Sequence, residues 1–417
     1  MIGDFLSSFQ YELLPRAWDI FLATWPVWVP LIALNLAWSN WVSYVQRDWL
    51  NKQGYVLLEI KLPHEVKKSP AAMEFVLNGI WENANISTPA DAFWEGKQRE
   101  WFSLEIVSLG GQIKFFIWAF PRWKKIIEAR IYAQYPEAEV HEVVRDYALD
   151  LTAYDTDKYT YWGITTALTK PDAYPIKTYV DYELDKVNLK EQEEAIDPLT
   201  PMLEYLGTLK PGEFAAVQIL LRAHAKENFL YGRFVLKKDW KDDVKKEIKK
   251  IIEEEAFIKP EKDKPASMIA LTDDQKQTIK SIERNAGKLA FDSMIRMIYV
   301  AENEVYDKSR GIGLIGSTRQ FGTHNLNGIK PDKFMSITHT WQDFNGWKKK
   351  ELQSTHLDAF KRRSFFGGRY KNLNAKSYVL STEEVATLFH LPGAMAKTPT
   401  LARTPSKKAQ APANLPV

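Results

Sequence analysis

Cysteine is absent from the 417 residues. That absence removes disulfide scaffolds, thiolate zinc sites, iron–sulfur clusters and cysteine nucleophiles, and it suits a reducing compartment or indifference to redox. A dominant charge is also lacking. Lysine and arginine number 56 against 53 Asp and Glu, a formal net of +3, so no whole-molecule field favours nucleic acid. The phosphate-loop pattern GxxxxGK followed by Ser or Thr occurs nowhere, and neither does a GxSxG elbow. The seven histidines include no HExxH and no pair at metal spacing beside carboxylates. Carboxylates sit on charge-mixed helical faces, where solvation accounts for them. The expectation is therefore a chain with no catalytic residues, no cofactor and no metal, and not an enzyme by itself.

Tryptophan is what the chain has in excess. Six of its 15 (Trp18, Trp25, Trp28, Trp38, Trp41, Trp49) fall within the first fifty residues. From Ile20 to Trp38 no residue is charged, and about 1.5 Å of helical rise per residue carries that run across a ~30 Å hydrocarbon core. Trp18, Ile20, Trp25, Trp28, Leu31, Leu34, Trp38 and Trp41 are the expected anchor, with tryptophan at both ends as an aromatic belt requires. Pro26 and Pro30 are tolerated in membrane helices as kinks. A signal peptide fits poorly, since a basic n-region is missing and Ala37-Trp38-Ser39 is too bulky for cleavage. Phe5, Phe9 and Leu13 suggest a short interfacial helix ending at Pro15. A buried Trp-rich hairpin is the alternative. Arg16 on one side against Arg47 and Lys52 on the other favours a single pass through the cell membrane with the bulk of the chain cytoplasmic.

Residues 51–146 spell βαββαβ, the ferredoxin-like order. Tyr55–Leu62 alternates as a half-buried strand, Ser69-Pro70 opens a helix bearing Met73, Val76, Leu77, Ile80 and Trp81, and strands Trp101–Val107 and Ile113–Phe120 join across Gly110-Gly111. A helix from Pro121, with Trp123, Ile126, Ile127 and Ile131, then precedes strand Ala138–Val144. The order returns over residues 147–345. A strand pair near Tyr147–Tyr154 and Tyr159–Leu168 leads to strand Ile176–Tyr182, a helix capped by Asp197-Pro198, strands Glu213–Arg222 and Lys288–Ala301, helix Asn303–Gln320 and strand Phe334–Thr340. An insertion, 225–287, reads as a solvated helical hairpin or a partner-docking arm, with Val244, Ile248, Ile251 and Ile252 on one stripe. The fold class expected is α+β, a sandwich of two such repeats behind one transmembrane helix. Residues 346–393 form a basic helix and a C-terminal helix, and 394–417 an extended linker.

Gly311, Gly313 and Gly316 match the letters of the dinucleotide fingerprint, but the segment before them is charged and helical where a strand is required; glycines easing close helix packing fit better. Lys348, Lys349, Lys350, Lys361, Arg362, Arg363 and Arg369, interleaved with Phe360, Phe365, Phe366 and Tyr370, could meet a nucleic-acid backbone or anionic lipid, or be the solvated face of a core helix.

The run YVLSTEEVATLFHLP, Tyr378–Pro392, resembles the segment that precedes the motor domain in membrane-anchored ATPases of type IV secretion and conjugation. These are the TraG/TraD-like coupling proteins and their HerA-like relatives, notably large proteins of candidate-phyla bacteria. LLEIKLPHEVKKSPAAMEFVLNGIW, FSLEIVSLGGQIKFFIWAFP, IYAQYPEAEVHEV, YPIKTYVDYEL and DPLTPMLEYLGTLKPGE agree in order, so the resemblance runs from Val56 to the end. Since the phosphate loop of those proteins is missing here, either the motor is a separate polypeptide or the chain is a stand-alone paralogue. The leading expectation is a non-catalytic, membrane-anchored subunit of a transfer machine for DNA or protein that positions a phosphate-loop motor ATPase on a separate chain. Homo-oligomerisation is compatible with that role. Ser381 and Glu384 form a capping box, and Glu383, Glu384, Val385, Leu388 and Phe389 are the candidate ATPase-docking residues, unless that helix belongs to its own domain's core. The rival expectation is a membrane-held, non-specific nucleic-acid-binding protein.

Overall fold

The computed structural model describes residues 14–62, 68–82, 88–152, 158–186, 196–225, 229–230, 233–234, 240–254, 271–334, 343, 345–368, 370, 373 and 375–393. The expected interfacial helix ahead of Leu14, Arg369 and the tail from residue 394 lie outside the described residues. In chain order the elements begin with α1 (Leu14–Gln53), β1 (Val56–Lys61), α2 (Ala71–Ile80), α3 (Pro89–Phe93), β2 (Phe102–Leu109), β3 (Gln112–Ala119), α4 (Lys124–Gln134), β4 (Glu139–Glu142) and β5 (Tyr159–Leu168). They continue with α5 (Thr200–Gly207), β6 (Glu213–Ala223), β7 (Phe229–Leu230), β8 (Arg233–Phe234), α6 (Trp240–Glu254), α7 (Asp273–Ala286) and β9 (Ala290–Glu302). Last come α8 (Lys308–Gly316), β10 (Ile329–Phe334), α9 (Trp347–Lys361), β11 (Tyr378–Ser381) and α10 (Thr382–Leu388).

The chain divides into two compact units, the first comprising residues 1–52, 86–98 and 228–235 and the second the remainder. In the first unit α1 runs unbroken for 40 residues with Pro26 and Pro30 inside it. It is long and apolar enough to cross a membrane. Pro15 lies within the described part of this helix. The side chains from Phe21 to Leu36 are mostly exposed, whereas Val42 and Val45 are buried, with Val42 packed on Ala92 and Phe93 of α3. The helix is thus not one arm of a buried hairpin. β7 and β8 pair as a two-stranded antiparallel ribbon.

The second unit is built on one antiparallel sheet in the order β10-β5-β9-β6-β2-β3-β1-β4, with β11 also paired to β9, nine strands among the described residues. Gly110 and Gly111 take φ +58° and +92°, so β2 and β3 close through a two-residue turn with both central residues left-handed, and only glycine does this without strain. The seam between the two halves is the pairing of β2 with β6, from Phe102 opposite Leu221 to Leu109 opposite Phe214. The halves therefore join edge to edge in one sheet instead of stacking as a sandwich. Long apolar strands on each side of the seam make continuous backbone pairing possible, and β9 is buried over every residue but Glu302.

Several elements of the second half differ from expectation, three of them where a side chain competes with or caps the backbone. Its first strand is Tyr159–Leu168. Ile176–Tyr182 contributes a single bridge, Ile176 to Asn327, and then turns. There the Thr178 amide and hydroxyl both donate to the Asp181 carboxylate, offering the backbone an alternative to a ladder. Residues Tyr147–Thr152 form a 3-10 turn opened by the Ala148 amide donating to Asp146. The helix expected over Asn303–Gln320 is confined to α8, capped by Asp307 through Ser309. Of the expected strand Phe334–Thr340 only Phe334 is described, as the last described residue of β10, and the rest lies outside the described residues. The insertion does form two helices, but Trp240, Val244, Ile251 and Ile282 bury against Ala173, Tyr174, Ala290 and Val379. These two helices are docked on their own unit and are not extended as an arm. Ile126 of α4 is exposed, so Ile127 and Ile131 carry that helix's core contact.

The two sheet faces follow strand alternation. On β2, Ser108 faces α5 and donates to the Leu206 carbonyl, while Ser103 and Glu105 face the opposite side, where α9 and the Tyr147 turn lie.

Candidate functional site

A row of polar side chains crosses the sheet at its seam. Strand register sets Glu105 opposite Gln218, Gln218 opposite Arg296, and Arg296 opposite Thr165. All four are fully buried. An isolated charge there would cost several kcal/mol, so the row is acceptable only if paired. Arg363, just past α9, supplies the pairing. Its Nε lies 2.9 Å from Glu105 Oε1 and its Nη2 3.0 Å from Oε2, a bidentate fork. The same guanidinium donates to both Asp146 oxygens, from Nη1 and, at 3.1 Å, from Nη2. Tyr147 and Ser103 hydroxyls and the Gln218 amide complete the Glu105 shell at 2.6, 2.7 and 2.9 Å. Arg296 Nη1 donates to Gln218 Oε1 at 2.9 Å and its Nη2 to the Ser364 carbonyl at 3.1 Å.

Burial works against ionised Glu105, but the charge and hydrogen bonds of Arg363 override it and hold the carboxyl below its ordinary range. Burial lowers Arg296 to about 10, which keeps it charged at neutral pH. His356, joined through Nδ1 to the Tyr161 hydroxyl, is pushed well below its usual value, first by burial and then by Arg296.

The backbone that delivers Arg363 is itself unusual. Its amide donates to the Phe360 carbonyl and the Ser364 amide to that of Ala359, a Schellman closure of α9. Glycine normally takes the left-handed position in that motif, yet Arg363 occupies it with φ +49°. An L-residue there costs of order 1 kcal/mol, offset here by the buried ion pairs.

The basic stretch thus separates into different environments. Lys348, Lys349 and Lys350 are exposed in the first turn of α9, where Asp343 accepts the amides of Lys348 and Lys349. Arg362 is exposed but bonded to Asp358 at 3.0 and 3.1 Å. Lys361 is half-buried, and burial lowers its pKa. Arg363 is core, so it cannot be a nucleic-acid or lipid contact.

The expected docking helix is also core. Glu383, Glu384, Val385, Leu388 and Phe389 are 2%, 1%, 0%, 3% and 0% exposed. Glu384 accepts the Ser381 and Ile176 amides, Glu383 accepts the Thr178 hydroxyl and pairs with Arg284, and Phe389 meets Phe115 edge-on at 5.7 Å. Burial raises the Glu384 carboxyl to about 7 against those backbone bonds. A helix consumed this completely by its own unit offers nothing to an ATPase, so these five residues are core and not a docking surface.

Two of the three glycines of α8 pack closely, while a Cβ at Gly316 would meet nothing within 4 Å. A Cβ at Gly311 would fall 2.4 Å from the Trp162 ring, and one at Gly313 would fall 2.3 Å from the Tyr205 hydroxyl.

A family described as a domain of unknown function, DUF8128, matches residues 45–404. The chain belongs to this family. The match contains the whole seam, its polar row and Arg363, and it begins at Val45, beyond the apolar run of α1. No curated protein matches the chain. For the DUF8128 region, sequence reasoning passed over Glu105, Asp146, Tyr147, Gln218 and Arg296. The available signal was a lone charge inside an otherwise apolar strand, as in FSLEIVSL and SMIRMIYV.

Proposed function

We propose that this chain is a non-catalytic, membrane-anchored assembly subunit that holds a motor ATPase of a type IV secretion or conjugation-like machine near the bilayer. The observation that carries the reading is α1, whose exposed apolar run leads directly into the DUF8128 region. In this reading α1 spans the cell membrane once, with the bulk of the chain cytoplasmic. The order β2-β3-β1-β4 in the first half, and β10-β5-β9-β6 in the second, supports two ferredoxin-like units joined along their second strands. A continuous sheet with a clamped seam suits a platform. The motor partner rests on the resemblance of the Tyr378–Pro392 run, and because α10 is internal its contact must lie elsewhere on the chain.

The test is recovery of the full chain from its native membranes in mild detergent. A phosphate-loop ATPase should co-purify, and the chain produced alone should turn over no ATP. ATP hydrolysis by the chain alone, or no ATPase in the complex, contradicts the proposal.

A second reading, contact with nucleic acid, is favoured by the three exposed lysines of α9. Cations in a helix's first turn oppose the macrodipole, by about 0.3–1 kcal/mol each, so helix stability does not account for Lys348–Lys350. If they meet phosphates, binding of single-stranded DNA should weaken with salt at about 0.7 log units per contact, and reversing all three to Glu should flatten that slope by about 2. An unchanged slope leaves them a solvated face.

A further inference from the structure

We infer that residues 88–98 form a second membrane-contacting element, which seats Trp94 at headgroup level beside Trp38 and Trp41. The inference rests on α1 being the membrane span. Thr88 caps α3, accepting the Asp91 amide, and Pro89 sits at the first helical position. The segment is fastened to α1 at successive levels. Trp41 Nε1 donates to the Phe93 carbonyl at 3.0 Å, and Gln98 Nε2 to the Gln46 carbonyl at 3.2 Å. Gly96, at φ +67°, comes so close to α1 that a Cβ would lie 2.3 Å from the Val45 carbonyl. Backbone against backbone at that distance fixes the segment's height along the helix.

The aromatic rings mark what that height is. Trp94 lies 5.7 Å from Trp38 and 6.4 Å from Trp41 by ring centroids, and Phe93 lies 5.4 Å from Trp38. Trp94 nevertheless remains 63% exposed. Immediately N-terminal on α1, Leu31, Leu34 and Leu36 are exposed and uncharged; the next charge after Trp38 is Arg47. The cluster therefore stands where the apolar run gives way to polar residues. Indole is the side chain best suited to that boundary, with an apolar body and an N–H that can reach water or a carbonyl. Lys97 pairs with both Asp91 and Glu95 on the same segment, so each of its charges has an opposite partner close to the polar side of the cluster. The occupant we assign is the glycerol and headgroup layer of the bilayer, not a partner protein.

The lack of cysteine makes the test direct. Trp94→Cys, Leu31→Cys and Lys52→Cys in the full chain each give one site for a nitroxide label, read by power saturation with oxygen and a nickel chelate in vesicles of phosphatidylcholine and phosphatidylglycerol. Residue 31 should be open to oxygen and closed to nickel, and residue 52 the reverse. Residue 94 should fall between them, with nickel access several-fold below that at 52. Adding Gly96→Val, which forces the segment off α1, should return residue 94 to the behaviour of 52. If 94 behaves like 52 in the unaltered background while 31 lies in hydrocarbon, the anchor stands and this inference fails. Shielding of 94 from both reagents points to a protein neighbour and also overturns it. If 31 is water-accessible, the span itself is wrong.

Discussion

Arg363→Met should destabilise the chain by roughly 3–5 kcal/mol, the range seen when one partner of a buried ion pair is removed. Methionine replaces the side-chain stem but leaves Glu105 and Asp146 facing each other with no cation between them. Urea unfolding of the purified full chain, followed by far-UV circular dichroism, measures the loss. The pH dependence carries a sign that a simple packing defect would not produce. In the intact chain Glu105 is held below its ordinary value, so the stability it contributes is present above about pH 4.5 and is lost as pH falls through its folded value. Without Arg363, burial dominates and raises that carboxyl. Its contribution then runs the other way, fully present below about pH 4.5 and lost as pH rises. Adding Glu105→Gln and Asp146→Asn to Arg363→Met should recover much of the loss and remove the reversal. A cost under about 1 kcal/mol for Arg363→Met alone would mean the seam does not depend on the clamp.

Why the clamp escaped the sequence reading is a matter of range. Glu105, Gln218, Arg296 and Arg363 are spread over more than 250 positions, and only the register of β2, β6 and β9 makes them neighbours. Local pattern sees Arg363 as one of a basic run, KRRSFFGG, and the solvated face is then the natural reading. The same limit applies to α10. Its capping box was legible, because Ser381 and Glu384 are three residues apart, and both halves of the box form. Its environment was not, since Ile176 and Phe115, which help close it in, come from distant strands and loops.

Periodicity succeeded where contacts are local. The first half's strands and helices fall close to their expected ranges, and the Gly110-Gly111 turn is where two glycines between alternating runs required it. It failed where side chains compete with the ladder, at Thr178–Asp181 and at Asp146. The aromatic cluster at the end of α1 was half legible. Trp38 and Trp41 were evident as a belt, but Trp94 reaches them only because Gly96 lets its segment lie on the helix.

The apolar run of α1 governs the larger expected effect, because attachment to a bilayer through about twenty buried residues is effectively irreversible, whereas an interfacial contact exchanges. The proposed role depends on it as well, since a platform that positions a partner at a membrane must first be fixed there. The decisive measurement is alkaline carbonate extraction of native membranes, with the intact mass of the retained protein determined afterwards. The chain should stay in the membrane pellet with the Ile20–Trp38 run still attached. Release into the wash, or retention only of a shorter chain from which that run has been cleaved, would contradict it.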